Sequence, residues 1–397
     1  MWNKPWSFKE GALIGGGLLV VGTLLQLTIG AIDWSLLSAP VNVILLVTYL
    51  LVLGLLYAMR KHIYFIAWSM TLHAAIPALL CGVAVTLLMG LTGWDEMLRA
   101  WPFVLIYIWL MSIVGLIAIN RIIRLMKGPQ VASSHLATFT SVLNHTGLFM
   151  AMVCGTLGNA DMQRLHMTVK VGGPEWRAAD ADRQDLIHEL PIAIELHSFT
   201  IDEYPPKYTI IDNETGQVVQ DAPWQIVQDT LFEYAAPRPE SDSYVEWRSM
   251  GACTAAHILA KRESSESSKG SEVSEVEGWV SCGSFMFPYR ALRLDDRCSA
   301  VMPEREPKRY ASEVTVYSEG GEKVDAVIEV NHPLEIEGWK IYQLSYDEAL
   351  GRWSDTSVFE LVRDPWLPWV YTGIYMLLAG ALLTFLTNRK HNSQDEL

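Results

Sequence analysis

Two histidines stand inside long apolar stretches of this 397-residue chain: His73 in TLHAAIPALL and His145 in SVLNHTGLFMAM. An ionisable side chain at bilayer depth is costly, and one that is kept there is a candidate for function. Neutral imidazole ligates metals, haem iron among them, and carries protons near neutral pH. Each histidine lies about ten residues into its apolar run, or ~15 Å at 1.5 Å per residue. Both are therefore expected near mid-membrane at similar depth. Simpler accounts stay open. Either ring can hydrogen-bond a neighbouring helix, as Asn144 and Thr146 can. Pro77 lacks an N–H and frees the carbonyl of His73 one turn back, so a structural kink also explains that stretch.

The elements that position these residues follow from hydropathy. Half of the residues are hydrophobic, yet 19% are charged, and the two kinds are segregated. Apolar windows at 11–31, 41–59, 63–90, 102–124, 137–157 and 367–387 are each long enough, or nearly so, to cross ~30 Å of hydrocarbon. The first run is long and lacks a small-residue cleavage site after it, so it reads as a retained span. The fold class expected is a six-helix membrane protein with a large all-β extracytoplasmic domain, a sandwich or an open barrel.

Orientation follows from the basic residues. Lys4 and Lys9, Arg60 and Lys61, Arg121, Arg124 and Lys127, and Arg389 and Lys390 all fall on one side of the spans. The opposite loops hold only Arg99. The basic side is expected to be the cytoplasm, with both termini inside and 158–366 outside the inner (cytoplasmic) membrane. Trp34, Trp94, Trp101, Trp366 and Trp369 fit an outer aromatic belt, and Trp2 and Trp6 an inner one.

The polar segment alternates with period two at Ile192–Ile201, Glu313–Tyr317, Val324–Val330, Trp339–Tyr346 and Ser357–Val362, the pattern of half-buried strands. Residues 263–278, ESSESSKGSEVSEVEG, read as a surface loop. The net charge of −14 lies largely in this segment and argues against nucleic acid or anionic lipid as a partner. Of five cysteines, Cys81 and Cys154 are in apolar stretches. Cys253, Cys282 and Cys298 are in the polar segment, where Cys282 and Cys298 either pair in an oxidising compartment or remain free thiols. No CxxC, CxxCH, HExxH, GxSxG or phosphate loop occurs. His166, His188, His197, His257 and His332 lack metal-ligand spacing, and Asp95–Glu96 read as solvated charges. No catalytic residue is expected.

The C-terminal third resembles the ResB/CcsB family of cytochrome c biogenesis proteins. The residues that carry the likeness are Val330–Asn331–His332–Pro333–Leu334, Gly338–Trp339–Lys340–Ile341–Tyr342–Gln343, Ser345–Tyr346, and Leu361–Val362–Arg363–Asp364–Pro365 leading into a last span with Gly373 and Gly380. A second match is Leu143–Asn144–His145–Thr146–Gly147, with Gly155 and Gly158. The resemblance implies a division into two extra helices at 1–60, three family-like helices at 61–157, the outside domain at 158–366, a last helix at 367–388 and a tail at 389–397. It implies a haem-handling subunit of a membrane cytochrome c synthase, working with a CcsA (ResC)-type partner on apocytochrome c. The cargo would be non-covalent haem b, with His145 as an axial ligand of its iron. The second ligand would come from the partner or from His73. A thiol-reducing protein is a further implied partner. The family's WGxxWxWD segment does not occur, so the resemblance implies reliance on the partner. The alternative is a cofactor-free scaffold that binds apocytochrome or braces the partner. Quinone-linked redox or proton transfer through His73 and His145 would need an acidic relay that the spans lack.

Overall fold

The computed structural model describes residues 2–93, 98–127, 133–262 and 274–392, without the side chains of 133–135 and 387–392. Trp94, Asp95, Glu96, most of the Ser/Glu-rich loop and the side chains of Arg389 and Lys390 lie outside the described residues. The chain divides into two compact units, residues 1–163 with 363–397, and residues 164–362.

The first unit is helical: α1 (Phe8–Ile29), α2 (Val41–Met59), the short α3 (Tyr64–Ser69), α4 (Leu72–Thr92), α5 (Trp101–Met126), α6 (Ser133–Gly158) and α7 (Leu367–Asn392). All but α3 contain an apolar stretch long enough to cross a membrane, and the unit is that of a multi-pass membrane protein. Lipid tails are as apolar as leucine, so helices associate here by close packing and interhelical hydrogen bonds. Glycines permit that approach. A Cβ on Gly11 would lie 2.6 Å from the Pro77 ring and 2.9 Å from the His73 carbonyl, and one on Gly15 would lie 2.6 Å from Cys81 Sγ. Thus α1 lies directly on α4. In the same way α6 lies on α7, where a Cβ on Gly373 would sit 2.7 Å from the Gly147 carbonyl and 2.7 Å from the Ala151 nitrogen.

The single span expected at 63–90 is broken. α3 ends at Ser69, and Thr71 adopts an extended conformation before α4 begins at Leu72. The cause is local. Ser69 Oγ donates to the Phe65 carbonyl and Thr71 Oγ1 to the Trp68 carbonyl, a competition with the helical ladder that short hydroxyl side chains favour.

α2 is bound into the bundle by side chains. Tyr57 donates to Asn120 Oδ1 at 3.1 Å, and the hydroxyls of Tyr49 and Ser112 are 2.9 Å apart. At the other end of α2, Asp161 gathers three elements. It accepts from the Ala39 nitrogen, from Asn42 Nδ2 and from Trp366 Nε1, each at 2.7 Å. Fully buried Asn42 also donates to the Leu157 carbonyl at 3.1 Å. The start of α2, the end of α6 and the start of α7 are thereby tied at one point.

The second unit is all β. β1 (Gln163–Lys170), β2 (Pro174–Asp180), β3 (Ile187–Glu203), β11 (Pro307–Ser318), β12 (Lys323–Glu329), β13 (Leu334–Ile336), β14 (Trp339–Tyr346) and β15 (Thr356–Arg363) form one eight-stranded sheet, in the order β12-β11-β3-β2-β1-β15-β14-β13. Its edge strands share one core, with Ile328 of β12 and Ile336 of β13 packed in the same cluster as Met167, Ile194, Val316, Trp339 and Phe359. This is the open-barrel form of the expected β domain. Four strands, β5 (Trp224–Pro237), β6 (Tyr244–Glu246), β7 (Cys253–Arg262) and β8 (Glu275–Gly283), form a second sheet. β4 (Thr209–Asp212), β9 (Leu292–Arg293) and β10 (Cys298–Val301) form a third, and the second and third sheets share a core around Trp224, Ile258, Val280 and Ala300. Residues 275–278, expected within the loop, are strand: Glu275 pairs with Lys261 and Val276 packs on that core. All five cysteines are free thiols, Cys282 and Cys298 included.

A buried ion cluster links barrel and second sheet. Arg305 and Arg352 approach Glu203 at 3.2 and 3.7 Å, while Arg352 also donates to the carbonyls of Glu233 and Ala252. Burial pushes the Glu203 carboxyl above its ordinary range, and Arg352 and Arg305 offset this only in part.

Two outcomes follow. Gln343→Leu removes the acceptor of buried Ser312, which also contacts Ser357 at 2.8 Å. Leaving such a group unsatisfied costs about 1–3 kcal/mol, read as a lower chemical-denaturation midpoint of the β domain, and an unchanged midpoint refutes the network. For Asp161, burial opposes ionisation but the bonds from Asn42, Ala39 and Trp366 hold the carboxyl below its ordinary range. A carboxyl with a lowered folded pKa stabilises fully above its unfolded value and loses that contribution as pH falls through the folded one. Thermal melts of the detergent-solubilised protein should show wild type losing its advantage over Asp161→Asn on acidification below about pH 4. A gap that stays constant with pH contradicts this.

Candidate functional site

His145 is the thirteenth residue of α6, ~18 Å from the start of the helix. Its Nδ1 lies 2.8 Å from the Ser141 carbonyl, one turn back. A carbonyl can only accept, so Nδ1 carries the proton, and in the neutral ring the Nε2 lone pair is open. This is the arrangement of a metal-ligating histidine, whose second nitrogen is commonly tied to a backbone carbonyl. No described residue hydrogen-bonds Nε2, and the side chain is only partly buried.

The rotation of α6 is set by its neighbours. Asn144 abuts Gly380 of α7, and its Nδ2 donates to Thr384 Oγ1 at 3.4 Å. With Gly147 and Ala151, this gives a face that recurs every three or four residues along α6 and belongs to α7. Phe149 lies on another face, against Gly115 of α5 and stacked 6.2 Å from Tyr49 of α2. Of the two residues expected as polar glue, Asn144 serves as such. The buried Thr146 hydroxyl has no partner among the described residues.

His73 does not share the depth of His145. The break at Thr71 makes it the second residue of α4, at the end of the helix rather than its middle. Its ring is exposed and packs 4.6 Å from that of Phe8, the first residue of α1. α4 packs chiefly on α1 and α5, whereas α6 packs on α7, α5 and α2. The structure therefore does not bring the two histidines together, and a shared His73–His145 ligand pair loses its geometric basis. No group of three or more His, Cys, Asp or Glu capable of holding a metal ion occurs among the described residues. An axial haem ligand needs no such group.

Two features were not foreseen. Ser141 was within reach of sequence reasoning, since i−4 spacing places its carbonyl under the His145 ring. The Asp161–Asn42–Trp366 node was not, because its members are more than 100 residues apart. Beside that node Leu46, Leu50, Phe149, Cys154, Trp366 and Trp369 line an apolar cleft of about 540 Å³.

The motif residues of the last third are structural. Glu337 and Gly338, with φ of 47° and 79°, make the two-residue turn between β13 and β14, the left-handed backbone that a tight hairpin needs. Trp339, Ile341 and Gln343 alternate into the barrel core. Asp364 Oδ1 accepts from the nitrogens of Trp366 and Leu367 and so caps the start of α7. No curated protein matches the chain. The model of the ResB-like family matches residues 258–354, from β7 through the β13–β14 hairpin to the turn before β15. Over that stretch, about a quarter of the chain, the protein is similar to the ResB-like family.

Proposed function

We propose that the protein is a haem-handling subunit of a membrane cytochrome c synthase, with haem b as its transient cargo and His145 as an axial ligand to the iron. The family supports a role in cytochrome c biogenesis. The observation that carries the finer reading is the His145 ring itself, midway along α6, held through Nδ1 by the Ser141 carbonyl while no described residue hydrogen-bonds Nε2. The ring is not enclosed by this chain, so the reading places the second ligand and the other wall of the haem site on a CcsA-type partner. His73, at a helix end, is left out of the ligand set. Apolar helices would hold the flat faces of the porphyrin by burial. The β domain would receive apocytochrome c and bring its thiols to the haem in a reactive geometry. Basic clusters at one end of the helices support the reading in which both termini are in the cytoplasm and the β domain is outside the inner membrane. A thiol-reducing protein would keep the apocytochrome thiols available.

A second reading has its own support. The family match lies wholly in the β domain, where its residues build turns and core. On that reading the chain is a scaffold, and the partner alone carries the haem.

The complex copurified with its partner discriminates. The ligand reading expects His145→Ala to lower the haem content severalfold and abolish the Soret spectrum of the subunit site, with His73→Ala near wild type. Unchanged haem and unchanged cytochrome c maturation in His145→Ala refute it. Full haem on the partner alone, with this chain still required for maturation, establishes the scaffold. Alkaline-phosphatase fusions near residue 220 should be active, and inactive fusions there overturn the orientation.

A further inference from the structure

Among the described residues, the second sheet has one long side without a paired strand. β5 is 14 residues long. On one side it pairs with β7 from Trp224 to Ala235. On the other side β6 reaches only Ala235–Pro237, and the Trp247 nitrogen then takes the Tyr234 carbonyl at 2.8 Å. Among the described residues no strand lies beside 225–233 on that side, and no main-chain hydrogen bond is made there.

The other sheet margins are guarded. The barrel edges β12 and β13 are folded over one core. The outer side of β8 carries the Ser281–Arg290 bridge and the Leu292 side chain packed on Gly278. β4 is bridged from Ile211 to Val218. β6, β9 and β13 have three, two and three residues. The Glu233 carbonyl is taken by Arg352 and Thr254, so the open edge is 225–232, whose alternate residues present N–H and C=O groups that a second extended chain can pair with.

Side chains agree with an open edge. Val227, Gln228 and Asp229 are exposed in succession, so both faces of β5 are open to solvent beside the bulge that follows Gln228. The β5 bulges between Gln228 and Thr230 and between Phe232 and Ala235 divide the edge into short regular runs. Such bulges twist an edge and limit it to short partners. The charged residues of 225–233 are Asp229, 3.3 Å from His257 Nδ1, and Glu233, 4.0 Å from Arg305, both acidic and with side chains still 68% and 62% exposed.

We propose that the outer edge of β5 docks a short, extended, basic segment of a partner polypeptide as an added strand. Its main chain would pair with residues 225–232, and its cations would face Asp229 and Glu233. The proposal goes beyond the haem reading and does not depend on it.

The test uses the full chain in detergent without haem. The probe is a capped, fluorescent eight-residue peptide alternating Lys and Val, compared with its Glu–Val counterpart and with two analogues N-methylated on alternate amides. An added strand turns only one set of its amides to the sheet edge. One N-methylated analogue should therefore bind at least tenfold more weakly while the other binds like the parent, and the Glu–Val peptide should bind more weakly than the Lys–Val one. Equal binding of both N-methylated analogues, or loss of both, overturns strand addition. A benzophenone-bearing Lys–Val peptide, photolysed and mapped by mass spectrometry on the unaltered chain, should mark 225–233. Adducts confined to other segments overturn the site, and so does an absence of measurable binding.

Discussion

The close approach of α6 and α7 is the constraint on which the most depends. Within hydrocarbon, helices gain nothing by hiding apolar surface from each other, so they hold by contact and by hydrogen bonds. Gly147 and Gly373 bring two backbones to within a distance at which neither could carry a Cβ. Asn144 and Gly380 extend the same seam. Because α6 is locked by that face, the direction of every other residue on it is fixed. His145 follows Asn144 by one residue, a turn of ~100° about the axis, so the seam turns the imidazole away from α7. The ring is then held against its own helix by the Ser141 carbonyl. Backbone packing thus determines what one side chain presents.

The same pair of helices flanks the β domain in the chain. α6 runs on into β1, and β15 runs on into α7, while β1 and β15 are neighbours in the barrel sheet. Asp161 lies in the first of these connections and Trp366 in the second, and a direct hydrogen bond joins them. Asn42 draws α2 into the same node. The resemblance implied that α2 is an extra helix. Its bonds to Asp161, Asn120 and Ser112 make it an integral wall of the bundle. A carboxylate that accepts three donors is well satisfied, and it tolerates partial burial for that reason.

Much of this was legible in the sequence, and the rest has physical reasons for having been hidden. Six apolar windows named the six helices because length and hydropathy suffice for a span. Period-two runs such as Trp339–Tyr346 named strands because one face of a barrel wall is buried. The break at Thr71 escaped, since WSMT is apolar enough for a hydropathy window, and the competition of Ser69 and Thr71 for backbone carbonyls is a matter of hydrogen bonds. That single turn moved His73 from mid-helix to the helix end. Residues 275–278 escaped because acidic composition says loop, whereas pairing with β7 says strand. The Asp161 node and the open edge of β5 depend on which distant segments become neighbours, and periodicity carries no such information.

The two candidate surfaces have a common logic. Among the described residues none hydrogen-bonds His145 Nε2, and no strand pairs with the outer side of β5 along 225–232. In each case the chain has satisfied one side of the element with its own contacts, α7 for α6 and β7 for β5. Buried polar groups in finished proteins rarely stay unmatched. These two are partly exposed, so leaving them without a partner costs little. An imidazole Nε2 midway along an apolar helix suits a metal centre in an apolar setting. A bulged, acidic strand edge suits a short basic chain in extended form. The cluster of Arg305, Arg352 and Glu203 couples the sheet that holds β5 to the barrel, so a strand added at that edge would load a sheet already braced against the rest of the domain.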